Sequence, residues 1–265
     1  MAESISFAEI NGAACRYALA GQGPRTLVLI HELGGSLNSW DAMLPLLPAT
    51  LRVIRYDLRG AGMSEKARGT NSIDALAADL AALLDHAGAD GPVVVMAAAM
   101  GAAVAVRFAN RHPARVARMV LIGPALGVPE ERREAARQLT DRIDREGMRA
   151  IAEAVLPKAF PDELWTSAEA KSLAIARWLG ADPEGYAANY RILVEHNLRP
   201  ELASVACPVL VLAGRFDPFS GPDAVDAGTA ALPDRRFQAV DGGHFMTIQS
   251  PHLVAEAARA FLEDR

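Results

Sequence analysis

The stretch VVVMAAAMGAAVAVRFANRHP, residues 93–113, decides the fold. It opens with a short, uninterrupted apolar run rich in β-branched valine, as a strand buried on both faces requires. With no spacer the run passes into Ala98, Ala99, Met100 and Gly101, then into an alanine-rich segment with helical spacing. Small residues suit a sharp strand-to-helix turn, because a larger side chain there would meet neighbouring backbone. Strand, abrupt turn and helix in direct succession form the basic unit of an α/β sheet.

Similar apolar runs recur on either side, at TLVLIH (26–31), RVIRYD (52–57), RMVLIG (118–123) and PVLVLAG (208–214). Between most of them lie Ala/Leu-rich stretches with helical spacing. The pattern predicts a mostly parallel central sheet with helices on both faces. At the N-terminal end, SISFAEI and ACRYALAG flank Asn11-Gly12, a favoured hairpin dipeptide, and predict an antiparallel edge hairpin.

The rhythm breaks between residues 125 and 199, where helical segments succeed one another without a strand. We expect a helical cap there, inserted into a core domain made of residues 1–124 and 200–265. The first cap piece, PEERREAARQLTDRIDREGMRAIAEAVL, begins with proline and acids as a helix N-terminus favours, and Pro157 and Pro161 are expected to break the chain after it. Its arginines read as a solvated face. Helical spacing returns after residue 220 and again in HLVAEAARAFLED.

Composition narrows the function classes. The chain has 265 residues, 51% hydrophobic and 22% charged, and a formal net charge of -5. These values fit an ordinary folded protein, and the interspersed charges leave no basic stripe for nucleic acid or a membrane surface. Cys15 and Cys207 have no CxxC spacing and read as buried free thiols. The start MAESISFAEI lacks a basic segment followed by an apolar run, so a cytoplasmic location is expected. The expected partner is a small-molecule substrate, and self-association is left open.

The small-residue turn occupies the place of a nucleophile elbow, Gly-x-Ser-x-Gly, with Ala97, Ala98, Ala99, Met100 and Gly101 in the five positions. Three further segments accompany it. HELGGSLNSWD (31–41) comes after an apolar strand in the manner of a His-Gly-x-Gly-Gly oxyanion loop. YDLRGAGMS (56–64) is similar to an Asp-x-Arg-Gly-x-Gly-x-Ser turn, and AGRFDP with DGGHF places Asp217 after a late strand and His244 before the last helix. Together these motifs, in the order nucleophile, acid, histidine, resemble the α/β-hydrolases along essentially the whole chain. By pattern the chain is most similar to 3-oxoadipate enol-lactonases and related small ester, lactone and carbon-carbon bond hydrolases.

The resemblance implies roles. Asp217 would hold Nδ1 of His244, and Nε2 would act as a general base. The backbone N–H groups of Leu33 and Met100 would stabilise a developing oxyanion. No cofactor and no metal is implied. Two departures stand out: the nucleophile position falls on Ala99, which cannot attack a carbonyl, and Glu32 replaces the glycine usual beside the oxyanion loop. Pointing inward, Glu32 could be an acid, a base or a substrate anchor; pointing outward, it does nothing chemical.

Other residues carry plainer readings. His31 is expected to brace its loop at the edge of the substrate pocket, and His112 to end a helix. His86, His196 and His252 lack partners at metal spacing. Met96, Met100 and Met246 are read as core side chains or as lining of the site. Asp57 and Arg59 should stabilise their turn. The segments GQGPRT and GAGMSE do not complete a dinucleotide fingerprint. Trp165, Trp178, Tyr186 and Tyr190 either roof an apolar substrate pocket or form the core of the cap.

Ala99 leaves several chemistries open. A serine removed on purpose would make the chain a nearly inactive form of a Ser-His-Asp ester or lactone hydrolase. A natural alanine, favoured by the coincident changes at Ala97 and Glu32, would leave His244 to act on water or substrate directly. That route serves hydrolysis of activated lactones and enol esters, or proton abstraction beside a carbonyl in a cofactor-free lyase, isomerase or oxygenase. A non-catalytic small-molecule receptor is the remaining reading.

Overall fold

The computed structural model describes residues 3–66, 71–165 and 167–263. Met1 and Ala2 of the N-terminal stretch, and Asp264 of the C-terminal one, lie outside them. Eight strands occur among the described residues: β1 (Glu3–Ile10), β2 (Ala13–Ala20), β3 (Arg25–Ile30), β4 (Leu51–Tyr56), β5 (Val93–Ala98), β6 (Val116–Ile122), β7 (Val209–Gly214) and β8 (Arg235–Val240). They form one sheet in the order β1-β2-β4-β3-β5-β6-β7-β8. β1 pairs antiparallel with β2, and β2 antiparallel with β4. All pairings from β4 to β8 are parallel. The expected hairpin turns at Asn11 (φ 48°) and Gly12 (φ 75°), whose positive φ values match the twist of the flanking strands.

Successive residues of the central strands enter opposite core layers, which explains their unbroken apolar runs. Val28, Ile30, Val95 and Ala97 pack on one face, beneath α1 (Ile73–His86) and α2 (Met100–Arg111). Leu27, Leu29, Val94 and Met96 pack on the other.

Among the described residues four α-helices occupy the stretch between β6 and β7: α3 (Glu130–Glu146), α4 (Arg149–Ala159), α5 (Ala168–Leu179) and α6 (Pro183–Glu195). They share a small apolar cluster containing Ile143, Ile151, Phe160 and Trp178, which Phe245 joins from the loop after β8. The segment expected as one long first piece is two helices, because Gly147 ends α3 at φ 78°. Pro157 does not break α4. It sits in the last turn, where few helical bonds remain to be lost. The chain closes with α7 (Pro222–Gly228), α8 (Met246–Gln249) and α9 (Pro251–Glu263), the last of which covers the second face through Val254, Ala258 and Phe261. Among the described residues no helix is long and apolar enough to cross a membrane.

Candidate active site

The C-terminal ends of β3, β5, β7 and β8 lie along one edge of the sheet, and each releases a site residue there. Ala99 comes directly after β5 and caps α2 at φ 44° and ψ -110°, a strained conformation for alanine. The turn is tied on both sides: Ala99 N–H donates to the Ile122 carbonyl at 2.9 Å, and its own carbonyl accepts from Ala125 N–H at 3.1 Å. Two residues on, a methyl group built at Gly101 would lie 2.5 Å from the Ile30 carbonyl oxygen. That absent side chain lets α2 start directly against the end of β3.

The loop after β3 begins with His31, which is 1% exposed. Its Nδ1–H donates to the Glu32 carbonyl at 2.7 Å, and its Nε2 accepts the Leu58 N–H at 3.0 Å. One donor and one acceptor fix a neutral tautomer. Beyond it, Ser36 caps a short turn at Leu37–Trp40. Asp57, fully buried, accepts the N–H groups of Leu37 (2.6 Å) and Met63 (2.7 Å), joining this loop to the turn after β4. Arg59 pairs with Asp79 at 2.9 Å. Both turn residues therefore hold structure together, as expected from the sequence.

Glu32 is 4% exposed and points inward. Its Oε1 accepts the Ser39 hydroxyl at 2.7 Å, whereas Oε2 is buried without a hydrogen-bond partner. Among the described residues no hydrogen bond uses the backbone N–H of Leu33 or Met100. Both residues line a cavity of about 530 Å³.

Asp217 and His244 meet across the ends of β7 and β8. His244 Nδ1–H donates to Asp217 Oδ2 at 2.9 Å, while Asp217 Oδ1 accepts the N–H groups of Phe219 (2.8 Å) and Ser220 (3.0 Å). Burial alone would raise the Asp217 pKa. The hydrogen bond and charge of His244, with the two backbone donors, outweigh it and hold the carboxyl below its ordinary value. The imidazole lies edge-on to Phe219 and Phe245, with ring centroids 4.9 and 5.1 Å away.

A family model described as alpha/beta hydrolase fold matches residues 25–251. The chain belongs to the alpha/beta hydrolase fold family. It is 26% identical over 252 residues to 3-oxoadipate enol-lactonase 2 of Acinetobacter baylyi, covering 94% of this chain and 93% of that protein. Among solved structures it is similar to a thermophilic esterase from Thermogutta terrifontis, with TM-score 0.90, 30% identity and 98% of each chain covered. It is also similar to an enol-lactonase from Burkholderia xenovorans LB400, with TM-score 0.88, 28% identity, and 98% and 100% of the two chains covered. This is a hydrolase superfamily chain with esterase and enol-lactonase homologues.

Within this hydrolase fold the cavity lies beside the dyad. His244 and Ala99 are not part of its walls, but their chain neighbours Phe245 and Met100 are. Of the aromatic residues singled out in the sequence, Trp178 and Tyr186 line it, as does His31. Trp165 and Tyr190 do not: Trp165 stacks on Phe160 at 5.9 Å, and Tyr190 packs against the main core and the edge of Tyr186. Sequence reasoning missed the walls supplied by Arg16, Phe160 and Arg177, and no local motif marks them. Helix α6 is fixed closely: a methyl group built at Gly185 would lie 1.9 Å from the Gly60 carbonyl oxygen. Its Asn189 donates to the Arg59 carbonyl at 3.1 Å and accepts from Asn71 at 3.0 Å. Among the described residues no group of three or more His, Cys, Asp or Glu is arranged to hold a metal ion.

Proposed function

We propose that this chain hydrolyses a small ester, lactone or enol ester by water activation at His244, without an acyl-enzyme. The observation that carries the reading is the His244–Asp217 pair at 2.9 Å, held in hydrogen-bonding geometry in a chain whose elbow residue is alanine. An imidazole oriented by a buried carboxylate is a general base, and Ala99 offers it no hydroxyl to deprotonate.

In this mechanism Nε2 takes a proton from water as the water oxygen bonds to the carbonyl carbon. The carbonyl oxygen becomes an oxyanion and accepts the free N–H groups of Leu33 and Met100. Collapse of the tetrahedral adduct breaks the C–O bond, and the imidazolium returns its proton to the departing alkoxide or enolate. Asp217 stabilises the imidazolium between these steps. Water is a weaker nucleophile than an activated serine, so substrates with good leaving groups, enol esters and enol-lactones, are favoured. Residues 125–199 act as a cap over the core formed by 1–124 and 200–265, and they supply Trp178 and Tyr186 to the substrate cavity.

The test is to assay the chain, Ala99→Ser and His244→Ala against enol-lactones and short esters. Turnover by the chain itself that disappears in His244→Ala supports the reading. Turnover confined to Ala99→Ser overturns it, as does turnover that survives His244→Ala unchanged.

A further inference from the structure

We infer that the indole N–H of Trp178 and the hydroxyl of Tyr186 bind an uncharged oxygen on the acyl side of the substrate, so that the favoured esters and lactones carry an ether or similar oxygen one or two carbons from the reacting carbonyl. The placement of that oxygen rests on the oxyanion role proposed for Leu33. Both side chains are then specificity residues supplied by the cap, not proton-transfer groups.

The two rings lie directly on the loop that follows β3. A methyl group built at Gly34, the residue after Leu33, would be 3.1 Å from Nε1 and Cδ1 of Trp178 and 2.8 Å from Cε2 of Tyr186. The indole nitrogen is therefore on the edge of its ring that is turned to the loop, and Cε2 adjoins the ring carbon that bears the Tyr186 hydroxyl. Gly34, Trp178 and Tyr186 all line the cavity. Trp178 meets Tyr186 edge to face at 6.2 Å, and Tyr186 meets Tyr190 in the same way at 6.4 Å. The rings are thus held in orientation before a ligand arrives, which lowers the entropy lost on binding.

Both donors are free and open. Among the described residues neither Nε1 of Trp178 nor the Tyr186 hydroxyl has a hydrogen-bond partner. The same is true of Nε1 in Trp40 and Trp165 and of the Tyr56 hydroxyl, but those three atoms are sealed from water. The Trp178 and Tyr186 atoms are not sealed, although Trp178 as a whole is 3% exposed. A donor that water reaches in a cavity wall can be met by a ligand, whereas a sealed one cannot. His31 and Ser39 line the same cavity and spend their donors on the Glu32 carbonyl and carboxyl, each at 2.7 Å.

An N–H and an O–H present hydrogens, so the group they meet is an acceptor. Burial raises the Tyr186 pKa, which keeps the phenol a neutral donor. Two uncharged donors suit a neutral oxygen, because an anion taken out of water needs an opposite charge that this pair does not offer. Because Gly34 follows Leu33 directly, the acceptor sits a few bonds from the carbonyl whose oxygen Leu33 would receive.

The test uses ligands of equal length that differ in one atom. Hydrolysis of phenyl methoxyacetate and phenyl butanoate is compared in the wild type, Tyr186→Phe and Trp178→Phe, each shown folded by its thermal transition. The ratio of kcat/KM values, methoxyacetate over butanoate, should fall about fivefold in each variant, the worth of one neutral hydrogen bond. Comparing ratios across proteins cancels the difference in intrinsic reactivity between the two esters. A second arm needs neither turnover nor a variant. The indole N–H signal of Trp178 is assigned by NMR through its contacts with Tyr186, and the wild type is titrated with N-phenylmethoxyacetamide and N-phenylbutanamide. The ether-bearing amide should move that signal downfield and the other should not. An equal response to both amides overturns the inference, and so does a ratio that is unchanged in either variant. A downfield shift confined to the ether-bearing amide, with no ester cleaved, would overturn the hydrolytic reading alone; cleavage of both esters with unchanged ratios would overturn this one alone.

Discussion

The carboxylate of Asp217 has one oxygen filled by the backbone N–H groups of Phe219 and Ser220, and gives the other to Nδ1 of His244 at 2.9 Å. The backbone thus sets the direction of the acid before the histidine is considered, and the imidazole inherits that direction.

Asp217→Asn should therefore preserve the fold but reverse the hydrogen-bond preference at Nδ1. Hydrolytic activity is expected to fall by roughly a hundred- to ten-thousand-fold, measured as kcat/KM on the best ester or lactone. The same substitution changes acid stability. Asp217 releases its proton more readily in the folded protein than in the unfolded chain, whose aspartates titrate near about 3.9. Its contribution is present above that value and is lost as pH falls through the lower folded value. Thermal unfolding measured across the acid range should show a flatter pH dependence for Asp217→Asn.

The strain at Ala99 predicts opposite effects for two substitutions. Ala99→Gly, which removes the Cβ penalty at φ 44°, should stabilise the protein by about 1 kcal/mol. Ala99→Val places a branched side chain in the same backbone conformation at a buried turn, and should destabilise by about 2 kcal/mol or more. Denaturant midpoints at constant m-value check both.

Crowding at the start of α2 makes Gly101 sensitive. Gly101→Ala should cost about 1–3 kcal/mol, because the new methyl meets the carbonyls of Ile30 and His31 and both are backbone. The shift would also move the Met100 N–H, so activity should fall further than the loss of folded protein accounts for.

His31→Ala would strand the buried Leu58 N–H, while the Glu32 carbonyl keeps the Gly35 N–H at 3.0 Å. One buried group stranded in this way costs about 1–3 kcal/mol. A loss in that range is expected in equilibrium unfolding. An NMR spectrum of the wild-type protein should show a neutral imidazole protonated at Nδ1.

Burial pushes the thiols of Cys15 and Cys207 up to about 11. Neither should react appreciably with a thiol reagent at pH 8 in the native protein, and both should react at once in denaturant. Rapid native labelling at either position would contradict its burial.

The fold was legible because the decisive strands are covered on both faces and so read as continuous apolar runs, with the motifs seated at their ends. β8 was harder to see, since an edge strand reading RRFQAV exposes alternate side chains and carries two arginines. The Asp217–His244 pair stood out through local context, AGRFDP and DGGHF. The cavity walls did not: Arg16, Phe160 and Arg177 come from β2, the end of α4 and α5, and only folding brings them together. The Ser39 hydroxyl lay in view within HELGGSLNSWD, yet its partnership with Glu32 depends on the turn at Gly34-Gly35, which residue types alone do not orient.

The contact between Gly60 and Gly185 gives the cavity an asymmetric capacity for change. On that side the distance between core and helix is set by main chain against main chain, and any side chain added at Gly185 displaces the whole of α6. Helix α5, by contrast, meets the loop of residues 36–41 through the Arg177 side chain, and its Leu173 and Ala174 line the cavity. New ligand preferences can therefore be carved into α5 one residue at a time, while α6 serves as the fixed gauge from which the width of the cavity is measured.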